Sequence, residues 1–244
     1  MCEGQDGRTY AEFVRNRRNE LLERIERAAT SAGRSADEVT LLAVSKTVGI
    51  DEVRVAFDCG YRVFGENRPQ ELKRKVGVAR TDPRLADARF DMIGNLQKNK
   101  INQVLGNAAC IHSVSSKTLA EAIATRAWRR GLRVRCLLEV NVSGEQSKSG
   151  FSPDEVRDAA QAIMEMEGMA VEGLMSMAPA SDPDAARRCF SGLRELRDEL
   201  ADRTGNPLPT LSCGMSGDFE IAVEEGSTLL RLGRIVFDPA FGNE

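Results

Sequence analysis

The residue with the clearest capacity for covalent chemistry is Lys46, the last member of the apolar run Thr40-Leu-Leu-Ala-Val-Ser-Lys46. Desolvation at the mouth of a buried strand favours a neutral amine, and a neutral amine attacks carbonyls, so a Schiff-base role is chemically sensible. A lysine that merely snorkels from a strand end to water fits the same position. The second candidate is Ser212-Cys-Gly-Met-Ser-Gly-Asp218, which runs from an apolar segment straight into a helical one. Its glycines admit close backbone approach, a helix N-terminus offers unpaired N–H groups, and Ser216 adds a hydroxyl; together these make a cradle for phosphate. An ordinary N-cap explains Ser216 equally well.

Other polar residues carry less. His112 lies within an apolar run with no acidic partner in sequence, the pattern of a hydrogen-bonded core histidine rather than a general base. Arg15-Asn-Arg-Arg18 shares a helix with Glu12, Glu20 and Glu23, and i,i+4 pairing on a solvated face accounts for it. Gln97-Lys-Asn-Lys100 reads as a surface loop or a first helical turn, and Met175 and Met177 as packing residues. Neither a P-loop nor a dinucleotide-binding glycine fingerprint occurs, which removes the main signatures of nucleotide-driven chemistry. Cysteines at 2, 59, 110, 136, 189 and 213 form no CxxC pair, and a single histidine excludes a multi-histidine metal site. A balance of 34 Lys plus Arg against 37 Asp plus Glu, net −3, argues against a dominant basic face for nucleic acid. The arginine- and glutamate-rich start lacks the apolar core of a signal peptide, and no run is long enough to span a bilayer. A cytoplasmic protein with reduced thiols is expected.

These residues need elements to position them. One amphipathic helix opens the chain, with Tyr10, Phe13, Val14, Leu21, Ile25 and Ala28 recurring at three- and four-residue steps. Apolar runs and helical periods then alternate. Runs too continuous for half-wet strands fall at 40–46, 62–67, 90–95, 110–115, 134–142, 171–177, 210–215 and 228–232. Among the intervening helices, Ser152-Pro-Asp-Glu155 is a capping box with proline at the first helical position. Such alternation implies parallel pairing and right-handed crossovers. Eight units in 244 residues, uninterrupted by a linker, predict an α/β fold: one (β/α)8 TIM barrel over 1–244, with an extra N-terminal helix and a flexible start at 1–8. An open doubly wound sheet is the alternative, because periodicity does not report closure.

In a barrel of this kind the C-terminal ends of the strands face the reaction space. Those ends carry Lys46, Glu66-Asn67, Asn95, Asn141 with Ser143, Ser176, Ser216, and Arg231 before Gly233. Loops after the seventh and eighth strands are the usual phosphate position, so Gly233-Arg234 strengthens the cradle reading of Ser216. An amine at one side of the rim and a phosphate site at the other suit pyridoxal phosphate.

The motifs Ala43-Val-Ser-Lys46, Phe64-Gly-Glu-Asn67 with Gln70-Glu71, Ile93-Gly-Asn-Leu-Gln-Lys-Asn-Lys100, Asn141-Val-Ser-Gly-Glu-Gln-Ser-Lys-Ser-Gly150, Gly173-Leu-Met175, Gly214-Met-Ser-Gly-Asp218 and Gly226-Ser-Thr-Leu-Leu-Arg-Leu-Gly233 occur in that order. In this combination the chain resembles the pyridoxal phosphate homeostasis protein family. The resemblance implies a fold type III barrel, similar to the N-terminal domain of alanine racemase without its second β-domain, that binds pyridoxal 5'-phosphate (PLP). Lys46 then matches the lysine that holds the cofactor as an internal aldimine. Ser216, Gly233 and the backbone at Arg234 match phosphate-binding positions, and Ser212 a further residue on the phosphate side. Arg231 matches the arginine facing the pyridine nitrogen, Asn67 and Met175 line the ring pocket, and Lys148 matches a second lysine near the site. Members of the family have no established catalytic reaction and are associated with balancing B6 vitamers and amino or keto acids. A monomer that serves PLP-dependent apoenzymes, without nucleic-acid or membrane partners, is the expectation.

Three positions depart from the family pattern. Asp91 replaces the usual His before Ile-Gly, Arg234 replaces a small residue such as Thr or Ser, and Asp238-Pro-Ala replaces the ending Phe-Gly. The first is expected to alter a hydrogen bond beneath the third loop. At Arg234 backbone donation survives while a hydroxyl contact does not, and the guanidinium offers a charge-assisted bond instead. An arginine at the ring nitrogen cannot hand over a proton, so the ring stays a weaker electron sink. Racemisation also needs an acid or base on each face of the α-carbon, and Lys46 is the one clear candidate. A cofactor-binding homeostasis protein is therefore preferred over the alternative, a fold type III amino acid racemase or lyase.

Overall fold

The computed structural model describes residues 9–145, 148–180 and 182–241, and the flexible start expected at 1–8 lies outside them. Helix α1 (Tyr10–Ser31) begins at Thr9, whose hydroxyl accepts the Glu12 N–H at 3.3 Å while the Glu12 carboxylate accepts the Thr9 N–H at 2.8 Å. This reciprocal cap satisfies two otherwise orphaned donors. Val14, Leu21, Ile25, Ala28 and Ala29 form its buried stripe, with Tyr10 and Phe13 half-buried beside them.

Among the described residues eight strands follow: β1 (Thr40–Val44), β2 (Val63–Glu66), β3 (Arg89–Met92), β4 (Ile111–Val114), β5 (Val134–Glu139), β6 (Met169–Met175), β7 (Thr210–Ser212) and β8 (Leu229–Leu232). Between them lie α2 (Ile50–Asp58), α3 (Pro69–Ala79), α4 (Ile101–Val104), α5 (Lys117–Trp128), α6 (Pro153–Met164), α7 (Pro183–Thr204) and α8 (Phe219–Glu224), with α9 (Arg234–Phe237) after β8. Every neighbouring pair is parallel, and β8 returns to β1 through Leu42↔Arg231 and Ala43↔Leu232. The sheet is thus a closed (β/α)8 barrel behind an extra helix, and the open-sheet alternative is excluded.

Seven of the eight strands are shorter than their apolar runs, β5 and β7 the most, by three residues each. β5 stops at Glu139 because Asn141 is drawn into the following loop, its Nδ2 donating to Glu145 O at 2.8 Å and its Oδ1 accepting from Ser143 Oγ and Gly144 N at 3.1 Å. β7 stops at Ser212 because the chain turns at Gly214, where φ is +95° and an added Cβ would lie 2.7 Å from Ala222 Cβ and 2.8 Å from Leu230 Cδ2. Glycine alone permits both that conformation and that approach. The turn thus rests against both Ala222 of α8 and Leu230 of β8.

Apolar packing occurs in two places. The larger body lies between the outer faces of the strands and the helices, with Phe64, Leu138, Phe190 and Leu211 among its members. Inside the barrel are two small clusters, Leu42, Val44, Val63 and Leu229 with Ile93, and Cys110, Leu137 and Met175. Helix α1 covers the β8–β1 seam by packing on α2, α8 and α9. There the Tyr10 hydroxyl donates to Phe237 O at 3.2 Å, and Arg24 donates to both carboxylate oxygens of Glu220 at 3.0 and 2.8 Å. The arginine run on α1 is less solvated than its charge pattern suggests, since Arg17 and Arg18 stand 5.5 and 5.8 Å from the ring centroids of Phe13 and Tyr61.

Candidate functional site

Strand alternation places Lys46. Leu42 and Val44 face the barrel interior, so Lys46, the next residue in that period, leaves the inner face at the C-terminal rim. It is exposed and has no hydrogen-bond or ion-pair partner among the described residues. Ser45 faces the other way, into a closed polar cluster. From α3, Lys75 Nζ donates to Ser45 O at 2.7 Å, Val48 O at 2.8 Å and Glu66 Oε1 at 2.6 Å, and Ser45 Oγ donates to the same Glu66 oxygen at 2.5 Å. With Lys75 1% and Glu66 0% exposed, the ammonium grips the chain on both sides of Lys46. Sequence reasoning missed Lys75. The available signal was its place on the helical stripe of Leu72, Val76 and Ala79, where a lysine is out of character.

Beside this cluster, Asn67 ends β2 half-buried, and the third loop rests on it so closely that a Cβ on Gly94 would collide with the Asn67 backbone oxygen. Asn95 donates to Ser149 Oγ at 2.9 Å, which ties the third loop to the fifth. In the fifth loop Lys148 Nζ donates to Glu145 Oε1 at 2.8 Å and to Met177 O at 3.3 Å.

Across the barrel, Arg231 is 5% exposed and sits within β8. Its Nη1 donates to Ser212 O and Ser212 Oγ, both at 2.8 Å, and its Nη2 donates to Ser176 O at 3.0 Å. Burial pulls the guanidinium below its ordinary value, against the opposing pull of Cys213, Asp218 and Glu139. Ser212 Oγ also lies 3.3 Å from His112 Nδ1, and His112 Nε2 lies 3.2 Å from Asp91 Oδ2. The acidic partner that His112 lacks in its own stretch of sequence is therefore supplied by the neighbouring strand. A contact from β4 to β7 joins strands that are not adjacent in the sheet, so this chain crosses the barrel interior. Glu139, which sequence reading also passed over, is buried with Oε2 unpartnered, and burial pushes its carboxyl up while Arg231 pulls it down. Met175 packs on Cys110 and Leu137 at the inner face, in register with Ser212.

The loops after β7 and β8 hold the other predicted residues. Ser216 is not the N-cap of α8. Asp218 takes that place, and its Oδ1 accepts the Met215 N–H at 2.6 Å. The Ser216 hydroxyl and the backbone N–H groups of Ser216, Gly217, Gly233 and Arg234 have no partner among the described residues. The Arg234 guanidinium stacks over Phe241 at 5.2 Å, leaving its backbone N–H as its contribution to the loop. Met175, Ser212, Arg231, Lys46 and Asn67 thus stand on or directly after β6, β7, β8, β1 and β2, five consecutive strands of the closed sheet.

This arrangement has known relatives. The family described as alanine racemase, N-terminal domain, matches residues 18–239. A pyridoxal phosphate homeostasis protein of Aquifex aeolicus is 40% identical over 222 residues, which is 91% of this chain and 96% of that protein. This chain belongs to the pyridoxal phosphate homeostasis protein family. Among solved structures, an unknown protein from Bifidobacterium adolescentis shares 42% identity at a TM-score of 0.87, over 93% of this chain and 96% of that one. PipY of Synechococcus elongatus, solved with PLP bound, shares 31% identity at a TM-score of 0.77, over 88% of this chain and 99% of PipY.

The residues present suit the ligand of that PipY structure. A guanidinium has five N–H donors, and three hydrogen bonds account for Arg231, so two donors remain for a ring nitrogen. The open N–H groups at Ser216, Gly217, Gly233 and Arg234 on adjacent loops have the character of an anion nest. Lys46 is an amine with no partner among the described residues.

Proposed function

We propose that this chain binds pyridoxal 5'-phosphate, with Lys46 as its covalent anchor, and serves the homeostasis of B6 vitamers and the linked balance of amino and keto acids. The observation that carries this reading is Arg231, a buried guanidinium with unused donors on β8, the neighbour of β1, together with Lys46 after β1, which has no partner among the described residues, and open backbone N–H groups after β7 and β8. Bound there, the cofactor supplies an electrophilic aldehyde and an electron-accepting ring. Ser216, Gly217, Gly233 and Arg234 hold the phosphate, Asn67 and Met175 flank the ring, Ser212 steadies Arg231, and Arg231 binds the ring nitrogen. Because a guanidinium keeps its protons, Arg231 binds that nitrogen without protonating it, and the reading is of a carrier without a catalytic cycle. The proposal extends to a cytoplasmic monomer that releases cofactor to PLP-dependent apoenzymes. No helix among the described residues is long and apolar enough to cross a membrane.

Titrating the protein with PLP should produce a near-visible absorption band, and borohydride followed by mass mapping should find the added mass on Lys46. Lys46→Ala should abolish the band while circular dichroism stays unchanged, since no packing depends on the amine; a retained band would move the anchor to another lysine, Lys148 first. Incubation of the loaded protein with single L-amino acids in D2O separates carrier from racemase or lyase. Enzyme-like α-proton exchange would reverse the assignment.

A further inference from the structure

His112 is the chain's single histidine, and it is fully buried between Asp91 and Ser212. Donor and acceptor counts give the chain of contacts a direction. Arg231 only donates, so Ser212 Oγ accepts from it at 2.8 Å and keeps one proton to give. The Asp91 carboxylate only accepts, so His112 Nε2, 3.2 Å away, carries the ring proton. Nδ1 is then the acceptor for the Ser212 hydroxyl at 3.3 Å. With a neutral ring, one tautomer alone gives every donor an acceptor. For stability by itself Asp91 is a costly residue, because its Oδ1 is buried without a partner. Fixing the imidazole tautomer is what a carboxylate does here that an uncharged residue does less well.

We propose that Asp91, His112 and Ser212 are positioning residues for Arg231. The carboxylate sets the tautomer, the imidazole draws the Ser212 proton toward itself, and the Ser212 oxygen is left turned to the guanidinium. Arg231 is thereby held with its two remaining N–H groups available to a ring nitrogen. The inference rests on the PLP-binding reading above.

A single histidine makes the test direct. Long-range 1H–15N correlation spectra of 15N-histidine-labelled protein should show the Nε2–H tautomer before and after PLP is added. An Nδ1–H tautomer or an imidazolium in the unliganded protein would overturn the proposal whatever PLP does. Asp91→Asn should shift His112 toward Nδ1–H or a mixture and weaken PLP retention about tenfold, the size expected from one misdirected hydrogen bond. Ser212→Ala should keep the Nε2–H tautomer and weaken retention by a similar factor, and the double variant should lose little more than either single one. Should Asp91→Asn fold poorly, Ser212→Ala decides alone. Wild-type retention in Ser212→Ala, or additive losses in the double variant, would overturn the coupling. Failure of the parent protein to take up PLP would instead sink the binding reading, while the tautomer measurement would still stand as its own result.

Discussion

Two buried cations, Lys75 and Arg231, stand on opposite sides of the sheet and are treated differently by their surroundings. Lys75 lies between the sheet and α3, where its three donors meet three acceptors, one of them a carboxylate. Arg231 lies inside the barrel, where it bonds two carbonyls and a hydroxyl, has no carboxylate within bonding distance among the described residues and keeps donors in reserve. A saturated cation holds the fold, whereas an unsaturated one in the same low-polarity setting awaits something. The contrast also explains how a mobile amine can be placed accurately. Lys75 clamps the carbonyls of Ser45 and Val48, so Lys46 moves freely only beyond its own backbone.

The largest effect should come from breaking the saturated side. Lys75→Met strands the buried Glu66, whose Oε2 already lacks a partner, and should cost about 3–5 kcal/mol in denaturant unfolding. Adding Glu66→Gln should recover part of that loss, because the stranded charge goes with it. Arg231→Met should cost less, about 1–3 kcal/mol for the buried Ser176 carbonyl left unpaired, since Ser212 O still accepts the Ser176 N–H, yet it should lower PLP retention by more than Lys75→Met does at a temperature where both variants stay folded. Equal losses of stability and retention in the two variants would erase the distinction between clamp and binding group.

The smallest effect sharpens the surroundings of Arg231. Burial raises the Glu139 carboxyl, so the folded protein keeps a proton that the unfolded chain loses above the ordinary carboxylate range, about 4.3. The unfolded state then binds fewer protons than the native one, and stability falls as pH rises through that range toward the folded value. Glu139→Gln should therefore be slightly more stable than the parent at neutral pH, with the difference closing below about pH 4. Thermal melts across pH would measure it, and a variant less stable than the parent at neutral pH would mean that the carboxylate is ionised and paired with Arg231.

Much of this was legible in the chain itself. Continuous apolar runs marked the strands, three- and four-residue steps marked α1, and strand-end position singled out Lys46, Ser216 and Arg231. Where the reading fell short, the cause was a contact between distant residues. β5 and β7 were read too long because Asn141 and Gly214 end them through loop hydrogen bonds and a tight approach to α8. Ser216 looked like a cap because the competing Asp218 becomes visible as the cap only once the turn is formed.

From its sequence alone this protein is determined to be an alternating α/β chain, with an amine at its first strand end and phosphate-suited loops near its last two, since period and spacing are properties of neighbours along a chain. Tertiary structure decided that the sheet closes, that Lys75 clamps β1, and that His112 reaches Ser212 100 residues away. Those depend on register and on which face of each strand meets the interior, and a pleat reverses its face with every residue, so no local pattern could have specified them.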